Sequence, residues 1–112
     1  MSRITTHVLD TSLGRPVAGI PVSLSIRDAS GFRELSQGVT DTDGRLRELL
    51  PSYPLEAASY RLVFEVAGYF RAAARPSFFE RVTLEFHVSE PAEHYHVPLL
   101  LSPFGYSTYR GS

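Results

Sequence analysis

The fold is decided by residues 59–66, SYRLVFEV. Within this stretch the large apolar side chains, Tyr60, Leu62, Phe64 and Val66, occupy every second position. Because successive side chains of a β-strand point to opposite faces of a sheet, this spacing places all four on one face. The stretch therefore predicts a strand whose inward face is buried in a core.

The same period of two recurs on both sides of this strand. Val22, Leu24 and Ile26 alternate with polar residues over 21–27, and apolar residues alternate in the same way over 79–89. The remaining strand candidates are residues 4–9, 32–40, 45–50, 94–101 and 106–110. Eight short, mostly antiparallel strands in 112 residues predict an all-β, two-sheet sandwich. We expect a single domain that spans residues 1–112.

Glycine, proline and aspartate mark the connections between these strands. They lie at residues 10–19, 28–31, 41–44 and 51–58. The sequence Asp41-x-Asp43-Gly44 resembles the start of a calcium loop, but it lacks the length and the closing glutamate of one, so we expect a plain turn. Residues 68–75 favour a short surface helix, which Pro76 ends. Pro98 cannot donate a backbone hydrogen bond, so its strand is predicted to be an edge or to carry a bulge.

The composition excludes several classes of function. A net charge of −1 provides no basic surface for nucleic acid or for an anionic membrane. The chain has no cysteine, which excludes disulfides and thiolate metal sites. Residues 1–10 have no apolar signal-peptide core, and no run is long and apolar enough to span a membrane. We expect a cytoplasmic protein whose edge strands pair into a symmetric oligomer.

Histidines are the main candidates for chemistry. His94 and His96 lie two residues apart, so they share one face of a strand, whereas His87 alternates with core positions and is predicted to face solvent. With His7 from another strand, the pair could hold a zinc ion that keeps one position open for water. Structural or surface histidines are the alternative. A site without a cofactor also remains, in which histidine activates water and arginine holds a planar ligand.

Four segments together resemble a known family. They are residues 109–112 (YRGS) at the end of the chain, 94–103 (HYHVPLLLSP), 6–10 (THVLD) and 38–45 (GVTDTDGR). These segments closely resemble the 5-hydroxyisourate hydrolases, the transthyretin-like enzymes of purine breakdown. The likeness extends over essentially all 112 residues. The terminal YRGS is a specific signature, whereas a His-x-His pair alone is a weak one.

The resemblance implies a transthyretin-like (prealbumin-like) sandwich with a short helix after the fifth strand. It also implies a homotetramer, built as a dimer of dimers, with its sites in a channel between dimers. The implied reaction is hydrolysis of the N1–C6 bond of 5-hydroxyisourate to 2-oxo-4-hydroxy-4-carboxy-5-ureidoimidazoline, with no metal and no other cofactor. The implied catalytic residues are His7, Arg45, His96 and Ser112, and the implied substrate-binding residues are His94, Tyr109, Arg110 and Gly111.

A non-catalytic carrier is the alternative function. The related transthyretins bind thyroid hormone in the same channel, but they lack the histidines and the YRGS tail present here. The tail therefore favours the enzyme. If Ser112 is the last residue, it brings both a hydroxyl group and a free α-carboxylate to the site.

Overall fold

The computed structural model describes residues 3–49 and 54–112. Within these ranges the chain forms nine strands and one short helix. The strands are β1 (Ile4–Asp10), β2 (Arg15–Pro16), β3 (Pro21–Asp28), β4 (Gly31–Val39), β5 (Arg45–Leu46), β6 (Ala58–Glu65), β7 (Arg81–Val88), β8 (Tyr95–Ser102) and β9 (Gly105–Thr108). The helix, α1 (Ala67–Ala72), follows β6. The predicted all-β class is confirmed.

The strands form two sheets that enclose one core. One sheet has the order β2-β1-β8-β9, with β5 also paired to β1, and the other has the order β4-β3-β6-β7. The inward residues predicted for β6, Tyr60, Leu62, Phe64 and Val66, are all buried in the apolar cluster between the sheets. The predicted two-sheet sandwich is therefore confirmed, and its alternating sequence pattern supplies the core.

One pairing departs from the antiparallel arrangement. β1 runs parallel to β8 over seven residue pairs, from Ile4 beside Tyr95 to Asp10 beside Leu101. Ile4 on β1 and Leu99 on β8 are completely buried, so the two strands share the core on one face. Their other face carries polar residues and forms the outer surface of the sheet.

Two predicted boundaries are wrong. The loop predicted at residues 10–19 contains β2, which pairs with the end of β1. The strand predicted at 45–50 stops at Leu46, and residues 47–49 leave the sheet. The last residue of that predicted strand, 50, and the first residues of the predicted connection, 51–53, lie outside the described residues. Leu49 is 1% exposed and its carbonyl accepts a hydrogen bond from Ser36 of β4. The chain therefore turns inward here to cross between the sheets.

The prediction for Pro98 is also wrong, because β8 is an interior strand between β1 and β9 and its register with the facing chain is the same on both sides of Pro98, so there is no bulge. The ladder of β8 with β9 ends at the pair of Leu99 and Thr108, and the chain next meets β8 at a bridge between His96 and Gly111. Pro98 lies in the gap, where its carbonyl accepts a hydrogen bond from the Thr108 hydroxyl at 2.7 Å. Pro98 has no backbone N–H to donate, and it lies where the ladder between β8 and β9 is already interrupted.

The helix is shorter than the predicted segment, residues 68–75. It ends at Ala72, and Ala74 adopts a positive φ of 55° before Pro76. Phe70 is its buried residue and anchors the helix to the core. No helix in the described ranges is long and apolar enough to cross a membrane.

A buried carboxylate joins this helix to the first sheet. Asp10, at the end of β1, is fully buried and accepts hydrogen bonds from Tyr69 at 2.7 Å, Arg75 at 2.8 Å and Ser12 at 2.5 Å. Burial by itself raises the pKa of Asp10, but the hydrogen bonds from these three residues outweigh burial and hold the pKa well below its usual range. The carboxylate is therefore charged whenever the protein is folded near neutral pH.

Replacing Asp10 with asparagine should destabilise the fold by about 3 kcal/mol, because it breaks a buried ion pair. The contribution of Asp10 is present above the ordinary aspartate pKa of about 4 and is lost as pH falls, because the folded pKa is the lower one. Urea unfolding of D10N and the wild type at pH 7 and at lower pH measures both effects. The control is D28N, whose exposed pair with Arg33 should contribute far less. Equal losses in the two variants would contradict this account.

Candidate active site

Three strands place a polar cluster on the outer face of the five-stranded sheet. The register sets His7 of β1 beside Arg45 of β5, and Thr5 of β1 beside His96 of β8. The cluster surrounds a cavity of about 160 Å³. The residues that line this cavity, here named the histidine cavity, are Thr5, Thr6, Arg45, Arg47, His94, His96 and Ser112.

The ring of His7 is held by the turn that precedes β5. Its Nε2 lies 2.9 Å from the carbonyl oxygen of Asp43. A carbonyl oxygen can only accept, so Nε2 carries the proton and donates it, which leaves Nδ1 as the unprotonated nitrogen of the neutral ring. Burial and the Arg45 cation lower the pKa of His7, and they outweigh the Asp43 hydrogen bond and the carboxylates of Asp41 and Asp43, which raise it.

The same turn positions Arg45. The carboxylate of Asp41 accepts hydrogen bonds from the backbone N–H groups of Asp43 at 2.8 Å and Arg45 at 3.0 Å. Gly44 has a φ of 74°, and a Cβ there would lie 2.5 Å from the carbonyl oxygen of Val8. The plain turn predicted at residues 41–44 is therefore present, with glycine at the position that requires it.

His94 and His96 share one partner. The hydroxyl group of Thr5 lies 3.0 Å from Nε2 of His94 and 2.8 Å from Nδ1 of His96, and the two ring centroids are 6.4 Å apart. Burial lowers the pKa of His96, and the Arg45 cation lowers it further, as do His7 and His94 when they are protonated. His96 is therefore a neutral ring near pH 7 and is able to accept a proton.

The zinc site considered from sequence does not form. Within residues 3–49 and 54–112, no three histidine, aspartate or glutamate side chains are placed so that they could hold a metal ion together. Nε2 of His7 is directed to a backbone carbonyl, and the facing nitrogens of His94 and His96 are directed to Thr5. The geometry therefore fits hydrogen bonding better than metal coordination.

Residues 109–112, here named the tail, run past His96. The backbone N–H of Gly111 donates to the carbonyl of His96 at 2.7 Å, and Ser112 reaches the histidine cavity. A Cβ on Gly111 would lie 2.7 Å from Cδ2 of the His96 ring. Glycine is therefore needed here for a close approach.

Tyr109 and Arg110 do not line the histidine cavity. They line a separate cavity of about 470 Å³ between β7 and β8. Arg110 pairs with Glu93 at 3.0 Å, donates to the carbonyl of His94 at 3.3 Å and stacks over the ring of Tyr95 at 4.3 Å. The structure does not bring Tyr109 or Arg110 to the histidine cavity of the same protomer, and their substrate-binding role stays a prediction. These three contacts of Arg110 hold the tail against the start of β8.

The predicted position of His87 is confirmed, but three residues of the histidine cavity were not predicted as site residues. His87 is exposed and faces solvent at the second cavity, as predicted. Thr5, Thr6 and Arg47 line the histidine cavity but were not selected as site residues. Alternation does place Thr5 on the face of His7, and Arg47 on the face of Arg45. That signal existed, but it could not distinguish these two residues from other surface positions of a strand.

The fold and the site together define a class of protein. A two-sheet sandwich with one helix after β6, and with a histidine and arginine cluster on the outer face of the β1-β8 sheet, is a transthyretin-like sandwich with a polar site. A family model described as "Transthyretin: HIUase/Transthyretin family" matches residues 4–111. The chain belongs to the HIUase/transthyretin family.

Relatives and solved structures agree with this membership. The 5-hydroxyisourate hydrolase of Caulobacter vibrioides is 45% identical over 116 residues and is matched along 100% of both chains. The structure of Klebsiella pneumoniae 5-hydroxyisourate hydrolase is 38% identical, with a TM-score of 0.85, over 97% of this chain and 98% of that one. Sea bream transthyretin in complex with thyroxine is 28% identical, with a TM-score of 0.90, over 98% of this chain and 95% of that one.

Replacing Gly111 with alanine should displace either the tail or the His96 ring, because the added methyl group has no room. The expected result is a clear change in the NMR signals of the His96 ring with little change in far-UV circular dichroism. The matched control is G105A, where the nearest atom to an added Cβ is the Ser102 hydroxyl oxygen at 3.8 Å. Unchanged His96 signals in G111A would show that the tail does not approach the ring so closely.

Proposed function

We propose that this chain is a hydrolase that acts on 5-hydroxyisourate. The observation that carries the proposal is the meeting of His96, Arg45 and Ser112 at one cavity, with His7 beside Arg45, in a chain matched end to end by 5-hydroxyisourate hydrolases. These are the four residues that the sequence resemblance implies as catalytic. They come from both ends of the chain and from its middle, so the fold is what assembles them.

The reaction is proposed to be hydrolysis of a cyclic amide. Water adds to the C6 carbonyl carbon of 5-hydroxyisourate, and the carbonyl oxygen becomes an oxyanion. The N1–C6 bond then breaks, N1 leaves with a proton, and C6 becomes a carboxylate in 2-oxo-4-hydroxy-4-carboxy-5-ureidoimidazoline. This sequence needs a base for water, a donor to the oxyanion and an acid for N1.

His7 and His96 are proposed to supply the base and the acid. The lowered pKa of each ring keeps it neutral near pH 7, so one ring can take the proton from water and the resulting imidazolium can then supply the proton that N1 needs, directly or through the other ring. His7 also has a defined neutral tautomer, because the Asp43 carbonyl fixes the proton on Nε2. A fixed tautomer leaves one known nitrogen for proton transfer.

Arg45 is proposed to hold the planar oxygen-rich ring or to stabilise the oxyanion. Its guanidinium group presents parallel N–H donors that match two carbonyl oxygens, and a lysine would offer only a point charge. Ser112, on the same cavity, is proposed to orient the substrate or the attacking water through its hydroxyl group or, if it ends the chain, its α-carboxylate. His94, Tyr109, Arg110 and Gly111 remain proposed as substrate-binding or supporting residues.

The direct test generates 5-hydroxyisourate from urate in situ and follows the decay of the absorbance of 5-hydroxyisourate with and without the protein. The wild type should accelerate the decay. H7A and H96A should each lower kcat by about 10²-fold or more, because each loses an acid or base group. R45K should lose about 10²-fold through the loss of paired donors, and S112A should show whether the hydroxyl group is needed.

The matched control for R45K is R33K, an exposed arginine on the other sheet, which should retain full activity. Wild-type protein that bound urate-like ligands without accelerating the decay would instead be a carrier, the alternative suggested by the transthyretins. Full activity in H7A, R45K and H96A would show that the assignment of the site is wrong.

We also propose that the protein is a homotetramer in the cytoplasm. Within the described residues, β7 and β9 are the last strands of their sheets on the same side of the sandwich, so each has an edge free to pair with a second copy. The histidine cavity opens on the outer face of a sheet, where a second dimer would enclose it. Sedimentation should give four times the mass of the 112-residue chain. A monomer that is fully active would contradict the proposed interdimer site.

A further inference from the structure

We propose that Thr5 is a positioning residue that sets the tautomers of His94 and His96 in opposite senses. Its single hydroxyl proton can serve only one of the two rings, so the other ring must supply a proton to the hydroxyl oxygen. The kinetic part of this inference rests on the proposed function. The spectroscopic part does not, because the tautomers can be observed without substrate.

The geometry is that of a bridge between two rings. The hydroxyl oxygen of Thr5 lies 2.8 Å from Nδ1 of His96 and 3.0 Å from Nε2 of His94, both within hydrogen-bond reach. Thr5 is only 4% exposed, so solvent competes little for its hydroxyl group. The parallel register of β1 with β8 places Thr5 directly beside His96, so the bridge is built on two paired strands.

The number of protons restricts the arrangement. A neutral imidazole carries one ring proton, and a hydroxyl group donates one hydrogen bond and accepts up to two. If both facing nitrogens were unprotonated, one of them would lack a donor. If both were protonated, the hydroxyl oxygen could accept from both rings, but the hydroxyl proton would lack an acceptor, because the described residues offer Thr5 no other partner and the side chain is buried. All donors and acceptors of this bridge are satisfied only when one facing nitrogen carries a proton and the other does not.

The surroundings select one of the two complementary arrangements. Nδ1 of His96 is engaged by Thr5, so Nε2 is the nitrogen that remains for the cavity, which Arg45 also lines. An arginine carries only donors and positive charge, so it favours a lone pair over an N–H group on that nitrogen. His96 therefore donates Nδ1–H to Thr5, and Thr5 donates its hydroxyl proton to Nε2 of His94.

The consequence for His96 is a cavity-facing nitrogen that is ready to accept a proton from water. This is the state that a general base needs, and a free ring would spend part of its time in the other tautomer. His94 acts through Thr5 and not on the substrate: it accepts the hydroxyl proton that would otherwise be offered to His96. This assignment gives His94 a positioning role in place of the substrate-binding role that the sequence resemblance implies.

The test compares T5V, which removes the hydroxyl group but keeps the branched shape, with T5S, which keeps the hydroxyl group. Nitrogen-15 NMR of the histidine rings reports which nitrogen is protonated. In the wild type and in T5S, Nδ1 of His96 should be protonated and Nε2 of His94 should not. In T5V the His96 ring should become a mixture of tautomers, and kcat should fall about 10- to 100-fold with little change in KM.

The matched control is T11V, which removes a hydroxyl group that donates to the Leu101 carbonyl at 3.2 Å and touches no histidine. It should leave both the histidine signals and kcat unchanged. The inference is overturned if both facing nitrogens of the wild type have the same proton state, or if T5S behaves like T5V. A wild type without hydrolase activity would contradict the proposed function, while the NMR comparison would still decide the tautomers.

Discussion

The parallel pairing of β1 with β8 is the constraint on which the site depends. It joins residues about ninety positions apart and places Thr5 beside His96. On the opposite face, the same strands bury Ile4 and Leu99, each contributing about 1.5–3 kcal/mol of apolar burial. A slip of one residue in one strand would exchange that strand's two faces, moving its polar residues into the core. Core burial therefore fixes the alignment of the polar groups on the outer face.

The electrostatic character of the site follows from what the sheet gathers there. His96 faces only influences that lower its pKa: burial, the Arg45 cation, and repulsion from His7 and His94 whenever those rings are protonated. His7 is balanced differently, because the carboxylates of the turn at residues 41–44 raise its pKa in part. Two rings with the same intrinsic chemistry are thus held in unequal environments, although the pKa of each is lowered.

The sequence was most informative where local pattern determines structure. The period of two located β3, β6 and β7 closely, because their side chains alternate between core and solvent. It failed where distant pairing decides: the parallel partner of β1, the early end of β5 and the interior position of Pro98 all depend on neighbours that a local window does not contain. The site shows the same division. Alternation placed His94 and His96 on one face, but the shared Thr5 hydroxyl follows only from the long-range register.

The tail shows why a short terminal signature acts as a unit. Arg110 is anchored on the inner side of the sheet edge by Glu93 and the Tyr95 ring, while Ser112 reaches the cavity on the outer side. Between these two positions the chain passes close to the His96 ring at Gly111. A side chain at Gly111 would collide with the ring, so the approach requires glycine. The tail thus carries an anchor, a residue without a side chain and a residue that reaches the cavity, in that order. Because each depends on the position set by the one before it, losing the anchor would misplace Ser112 even though Arg110 does not line the histidine cavity.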